Sequence, residues 1–262
     1  MERSVTELLT PSTFAGLKVV KAGKRESNLN IMIYGDSGVG KTRLAGSADD
    51  VPEMRSVLVV DFEGGTETLK HCYPNCDTVR VASWKDVQDV YDELHASNHK
   101  YRTVILDSLT EVQKFNMYNV MQKLVEQNEN RDVDVPSMRE WGINLEQMRK
   151  FVRAFRDLPM NTIFTALMVS EKDNKTGLTV KEPHLSGKLK KEVAAFLDIV
   201  VFMYMREMEI DNETKQAHLL LTQATDTCTA KDRTNKLPQV MVEPTMAEIM
   251  KYINQETELI NS

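Results

Sequence analysis

Asn30-Ile31-Met32-Ile33-Tyr34-Gly35-Asp36-Ser37-Gly38-Val39-Gly40-Lys41-Thr42 is the stretch on which the architecture turns. Ile31–Tyr34 is a short apolar run that stops at a glycine, the pattern of a strand buried on both faces. The residues after it match G-x-x-x-x-G-K-[ST]. Glycines let such a loop bend so that successive backbone N–H groups turn inward toward phosphate oxygens. Lys41 brings a point charge to the β- and γ-phosphates, and Thr42 offers a hydroxyl to Mg²⁺. A helix opening near Lys41 aims its positive end at the same anion. A chain of this length meets the pattern by accident on the order of 1% of the time. Here the pattern also follows a strand and opens a helix, as the chemistry demands. Gly35, Asp36, Ser37, Gly38, Val39, Gly40, Lys41 and Thr42, with the adjacent Arg43, are the expected nucleotide contacts. No guanine-reading Asn-Lys-x-Asp segment is present, so ATP is the expected nucleotide, with Mg²⁺.

Further strands follow outward from this one. Val57–Val60, Thr103–Leu106, Thr162–Leu167 and Ile199–Met203 are unbroken apolar runs, and His218–Thr222 reads as a later, antiparallel strand. Helical spacing lies between them. Ser83 is an N-cap candidate ahead of Val87, Val90, Tyr91 and Leu94. Val112, Phe115, Tyr118, Met121 and Val125 predict one apolar stripe, and Leu145, Met148, Phe151, Val152 and Phe155 another, with Trp141 as a packing residue. Thr245-Met246-Ala247-Glu248 predicts a capping box opening a helix to about Glu258. Gln127–Arg139 and Glu171–Ser186 read as loops, and Phe14–Val20 as a short strand. Buried strands alternating with amphipathic helices predict an α/β fold, a mainly parallel sheet with helices on both faces and antiparallel edge strands.

A phosphate loop needs a carboxylate partner for its metal. Asp107 ends the strand Thr103–Leu106 and is followed by Ser108, so with Thr42 it is the expected Mg²⁺ holder. Val59-Val60-Asp61-Phe62-Glu63-Gly64-Gly65 ends the strand after the phosphate-loop helix in acids. Glu63 is the candidate group to polarise an attacking water. Asp61 and Glu63, two apart, are expected on one face of an extended segment.

In this order the motifs resemble the RecA/RadA class of P-loop ATPases: Gly35–Thr42, then Asp61-Phe62-Glu63, then Val104-Ile105-Leu106-Asp107-Ser108. The layout is most similar to the short RecA-like proteins of bacteriophages, over roughly residues 28–240. Some of these are described as single-strand annealing proteins, many only as phage AAA-family ATP-binding proteins. The resemblance implies a RecA-like nucleotide-binding core in which Lys41, Asp107 and Glu63 are catalytic and ATP hydrolysis is stimulated by DNA. It implies single-stranded DNA as partner, annealing or strand exchange in recombination, and a homo-oligomer, filament or ring, with ATP at subunit interfaces. A single-stranded-DNA-binding protein is a further candidate partner, and the cytoplasm (of the host, if phage-encoded) the implied location. Lys231 and Arg233 fall where RecA carries basic residues that reach a neighbour's ATP. Glu171–Ser186 and the residues after it fall at a DNA-binding loop, which makes Lys172, Lys175, Lys181, Lys188, Lys190 and Lys191 the candidate DNA contacts. Phe14-Ala15-Gly16-Leu17 is a candidate strand for pairing with a neighbouring subunit. Two departures stand out. Leu167 occupies the position of RecA's γ-phosphate-sensing glutamine, and only a helix after Thr245 stands where RecA has a C-terminal domain.

The whole chain is consistent with this. It has 262 residues, 41% hydrophobic and 27% charged, with a net charge of −6. That charge argues against coating nucleic acid with the whole surface but allows a local basic groove. No run approaches a bilayer span and no secretory leader is evident at Met1-Glu2-Arg3-Ser4. Three cysteines fit reduced thiols, and His71-Cys72-x3-Cys76 lacks a second ligand pair for zinc. The expected organisation is an arm over 1–27, an ATPase core over 28–243 and a C-terminal helix over 244–262. Alternatives are a P-loop switch or accessory ATPase of replication or packaging without DNA contact, and a small-molecule kinase. The absence of arginine from Glu171–Ser186 counts against a kinase lid.

Overall fold

The computed structural model describes residues 13–19, 28–127, 131–174, 176–210 and 213–255. In chain order the elements are β1 (Thr13–Phe14), β2 (Leu17–Lys18), β3 (Asn30–Gly35), α1 (Lys41–Gly46), β4 (Val57–Asp61), α2 (Glu67–Cys72), β5 (Asp77–Arg80), α3 (Trp84–His95), β6 (Thr103–Asp107), α4 (Leu109–Gln127) and α5 (Met138–Arg156). Then come β7 (Asn161–Lys172), β8 (Thr179–Pro183), α6 (Leu189–Phe196), β9 (Ile199–Ile210), β10 (Glu213–Leu221), β11 (Lys231–Asp232), β12 (Val240–Val242) and α7 (Met246–Asn254). A ten-stranded sheet runs β12-β10-β9-β3-β7-β6-β4-β5, with β11 beside β9 and β8 beside β7. β3, β4, β5, β6, β7 and β9 are parallel neighbours, and β8, β10, β11 and β12 pair antiparallel.

The apolar runs lack polar alternation because each strand feeds two cores. Met32, Tyr34, Val60, Leu106 and Phe164 turn to one face, against Val87 of α3, Val112 of α4 and Met148, Phe151 and Phe155 of α5. Ile31, Ile33, Val59, Ile105 and Ile163 turn to the other, against Leu44 of α1, Leu69 of α2 and Met246 and Ile249 of α7. Ser83 caps α3 in a full capping box with Asp86. Thr245 caps α7 through the Glu248 N–H at 3.2 Å, and Met246 N–H donates to Ser47 Oγ at 2.8 Å, which seats α7 beside α1.

Several expectations change. Glu171–Ser186 is not a loop: β7 extends to Lys172 and pairs with β8 in a hairpin, Met168 opposite Pro183 and Lys172 opposite Thr179. Its strands carry polar residues on both sides, so hydrophobic periodicity does not register them. Phe14–Val20 is not one strand, because Ala15 and Gly16 take positive φ and fold β1 onto β2 in a separate sheet. The rest of the arm over 1–27, apart from Val19, lies outside the described residues, as does the expected helix beyond Gln255. The buried residues of α4 are Leu109, Thr110, Val112, Gln113, Asn116, Val120 and Met121, so Val112 and Met121 of the expected stripe are buried and Phe115 packs partly against the core. Tyr118 of that stripe is 60% exposed, since polar Gln113 and Asn116 of the same helix face inward to meet specific partners, and the expected packing residue Trp141 of α5 is 43% exposed. Among the described residues, no helix is long and apolar enough to cross a membrane.

Tyr34 donates its hydroxyl to Thr229 O at 2.6 Å, with Lys181 O at 3.2 Å, beneath the hairpin. The Tyr34→Phe variant should lose about 1–2 kcal/mol of unfolding free energy in urea titrations, because buried carbonyls lose their donor while the ring still packs.

Candidate nucleotide site

β3 delivers the phosphate loop from the middle of the sheet. Gly35 is its last residue, and a Cβ there would lie 2.2 Å from Met203 O on β9, so only glycine fits. Gly38 and Gly40 have φ of 79° and 94°, the left-handed region that favours glycine. Gly40 is the N-cap of α1 and offers no side-chain acceptor, which leaves the first-turn N–H groups without an internal cap. Asp36, Ser37 and Gly38 are exposed at the crest, whereas Val39 is packed into the core. His218 of β10 reaches the loop, with Nδ1 3.1 Å from Val39 O. A carbonyl only accepts, so that contact calls for the proton on Nδ1.

Lys41 is buried, and its ammonium donates to Asp36 O at 2.6 Å and Gly35 O at 3.1 Å. Burial lowers its pKa from the usual 10.5, partly offset by the carboxylates of Asp107, Glu63 and Asp36. The charge is thus held over the loop without a carboxylate bonded to it.

The acids converge on this loop through strand register. β4 and β6 pair so that Asp61 lies beside Asp107. Thr42 Oγ1 donates to Asp107 Oδ2 at 2.6 Å, and Thr165 Oγ1 donates to Asp107 Oδ1. Ser108 Oγ donates to Glu63 Oε1 at 2.5 Å. Asp61 and Glu63 do not share a face. Asp61 is buried and accepts from the N–H groups of Glu63 at 3.0 Å, Gly64 at 2.7 Å and Gly65 at 3.3 Å, and from Arg80 Nη1 at 3.1 Å. The turn it holds lifts Glu63 outward, where its carboxylate is exposed. The extended geometry expected for this segment ends at Asp61 because its side chain substitutes for strand partners.

The basic residues are placed less simply. Lys231 and Arg233 sit with β11 against Ile199 and Val200, at the start of β9 and the opposite sheet edge from the phosphate loop. Lys231 Nζ donates to Ala194 O at 2.7 Å and Leu197 O at 3.0 Å, capping the end of α6. Arg233 pairs with Asp198 at 2.6 Å. Both are engaged within the chain and far from its own Lys41. Lys190 is paired with Glu171 and Glu182, Lys191 is 4.0 Å from Glu182, and Lys181 lies over the Phe202 ring. Lys172 and Lys188 are exposed, and Lys175 lies outside the described residues. The hairpin is therefore not a uniform positive track, because its own acids meet its lysines.

Ser108, Thr165, Asp61, Arg80 and His218 join the site without having been singled out for these roles. Thr165 carried a signal: a polar residue inside a buried strand needs a partner. Beside the loop, a cleft of about 140 Å³ between Arg43, Tyr73, His218 and Glu243 continues from Gly40. A second cleft, about 720 Å³ between Asn30, Arg156 and Arg233, lies at the opposite sheet edge, away from the phosphate loop.

Fold and site together define a P-loop ATPase. Residues 27–234 match the family described as AAA domain, and the chain belongs to that family. Among solved structures, an ATPase from the type III secretion system of pathogenic bacteria is 16% identical, with a TM-score of 0.41, over 67% of this chain and 51% of that one. EscN from the type III secretion system of enteropathogenic E. coli is 18% identical, with a TM-score of 0.41, over 67% of this chain and 43% of that one. EscN in complex with its central stalk EscO is 15% identical, with a TM-score of 0.40, over 68% and 42%. The chain thus spans about half or less of the length of these structures. No curated protein sequence matches it.

The depressed Lys41 sets a direction for nucleotide binding. Triphosphate oxygens favour the ammonium, so the bound state holds its proton to higher pH than the free one. ATP affinity should fall as pH rises, starting below the ordinary lysine value of 10.5. Calorimetric titrations across the alkaline range, with Lys41→Arg as the variant that keeps its charge, test this.

Proposed function

We propose that the chain binds and hydrolyses Mg-ATP through Lys41, Thr42, Asp107 and Glu63, and that it works on single-stranded DNA as part of an oligomer. The observation that supports the site most is the 2.6 Å contact between Thr42 and Asp107, a hydroxyl and a carboxylate from separate elements. Hard oxygen donors of this kind suit Mg²⁺. When bound, the ion supplies positive charge to the β- and γ-phosphate oxygens. The amides from Asp36 to Thr42 cradle the triphosphate, and Lys41 exchanges loop carbonyls for phosphate oxygens. Arg43 and the cleft beside Tyr73 and His218 receive the rest of the nucleotide. Glu63, aimed by Ser108, accepts a proton from water as its oxygen attacks the γ-phosphorus and the bond to the ADP oxygen breaks.

The DNA reading rests on the β7–β8 hairpin beside the site, with Lys172 and Lys188 exposed, and on the order of motifs shared with RecA-like proteins. Annealing or strand exchange is the activity it implies. Lys231 and Arg233 reach a neighbour's triphosphate in this reading only by leaving their contacts with α6 and Asp198. The pairing of Lys190 with Glu171 and Glu182 favours a second reading, a switch or accessory ATPase that engages a protein instead.

Glu63→Gln should keep ATP affinity within about 3-fold and lower turnover by at least 100-fold, since it removes a group that acts on the reacting water. Retained turnover takes Glu63 out of that role. Separately, single-stranded DNA should raise ATPase activity, and the stimulation should fade from 50 to 200 mM salt, roughly the range over which phosphate contacts weaken. Activity indifferent to DNA at every salt concentration supports the accessory reading.

A further inference from the structure

We propose that Thr110 and Gln113, in the first turns of α4, are positioning residues that tie the nucleotide site to the segment His184–Gly187, which follows β8 of the β7–β8 hairpin. Both side chains are buried, at 1% and 8% exposure, and neither is used for packing alone. The Gln113 carboxamide works at both ends. Its Nε2 donates to His184 O at 3.2 Å, and its Oε1 accepts from Ser186 N at 2.8 Å and Ser186 Oγ at 3.0 Å. Thr110 Oγ1 accepts from Leu167 N at 3.0 Å and donates to His184 O at 3.4 Å. His184 N in turn donates to Leu167 O at 2.7 Å, closing the cluster.

Each end of this cluster touches an element of the ATPase site. Leu167 is in register with Gly35, the first glycine of the phosphate loop. α4 begins directly after Asp107 and Ser108, and the N–H groups of Glu111 and Val112 both donate to Ser108 O at 3.1 Å. Asp107 accepts from Thr42, and Ser108 aims Glu63. A shift of Asp107 or Ser108 on nucleotide binding therefore moves the first turn of α4. That turn holds His184 and Ser186 by directional bonds rather than by adaptable apolar contact, so the segment His184–Gly187 has to follow or break them. Coupling is reciprocal, so an occupant of the hairpin alters the aim of Glu63. This rests on the ATPase site proposed above but not on the identity of what the hairpin binds.

The test is hydrogen exchange on the full chain with and without a non-hydrolysable ATP analogue and Mg²⁺, in the absence of DNA. In the unmodified chain, amides over 168–187 should change protection by about 3-fold or more on binding. Thr110→Val, an isosteric change, and Gln113→Met should lose that hairpin response while the phosphate loop still becomes protected. Steady-state kinetics should show kcat lower by about 10-fold with KM within about 3-fold, the sign of an interaction that matters in the transition state. Thr110→Ser, which keeps the hydroxyl, should restore both. A hairpin indifferent to nucleotide in the unmodified chain overturns the proposal without any variant. A full response in both variants overturns it too. Loss of loop protection in the unmodified chain would instead indict the ATP-binding reading itself.

Discussion

Gly35 is where the chain has least choice. β3 is hemmed in by β7 and β9, and at its last residue the carbonyl of Met203 occupies the space a side chain would need. The strand must end there and turn over the sheet edge. Because Gly38 and Gly40 accept left-handed φ, the turn is tight enough to bring Lys41 back over Gly35 and Asp36. The position of Lys41 therefore follows from strand crowding as much as from its place in a motif. The same crowding puts Leu167 beside Gly35, so the β7 strand that grows into the hairpin is in register with the phosphate loop.

Two aspartates then divide the work by partner rather than by type. Asp61 and Asp107 are side by side in the β4–β6 register, at ends of neighbouring strands. Asp61 is surrounded by backbone N–H groups and Arg80, so its charge is spent on shaping a turn. Asp107 meets two hydroxyls, Thr42 and Thr165, the contacts on which the proposed Mg²⁺ site rests. Exchanging the two environments would loosen the turn that carries Glu63 and put backbone N–H groups, in place of hydroxyls, around the carboxylate beside Thr42.

The parallel strands, the glycine-rich turn after β3 and the position of Asp107 at the end of β6 are legible because each depends on local order: apolar runs, glycine spacing, an acid at a strand end. The division between Asp61 and Glu63 is not, since Asp61 gains its partners from a turn and from Arg80 on β5, nineteen positions on. The inward face of α4 was misread for a related reason. Gln113 and Asn116 are polar, yet both are buried because His184, Ser186 and Asn144 supply partners that only the tertiary structure brings. A polar residue at an interior helical position counts against burial until its partner is known, and periodicity cannot know it.

The lysines show the same limit acting on charge. A surplus of Lys over Glu between 171 and 191 reads as a positive patch only if all side chains face one way and stay unpaired. Strand alternation in β7 and β8 and the packing of α6 break both conditions: Lys190 is drawn between Glu171 and Glu182, and Lys181 lies flat on Phe202. A paired lysine contributes to phosphate binding only after its carboxylate partner is displaced, so its worth there is the difference between two ion pairs. Lys172 and Lys188 are exposed instead, with Glu192 on α6 feeling the charge of Lys188. Any polyanion that meets this hairpin is therefore engaged first at its tip and at the start of α6. Of these two points, Lys188 directly follows the segment held by Gln113, so contact there bears on that turn, whereas Lys172 pairs with the far end of β8.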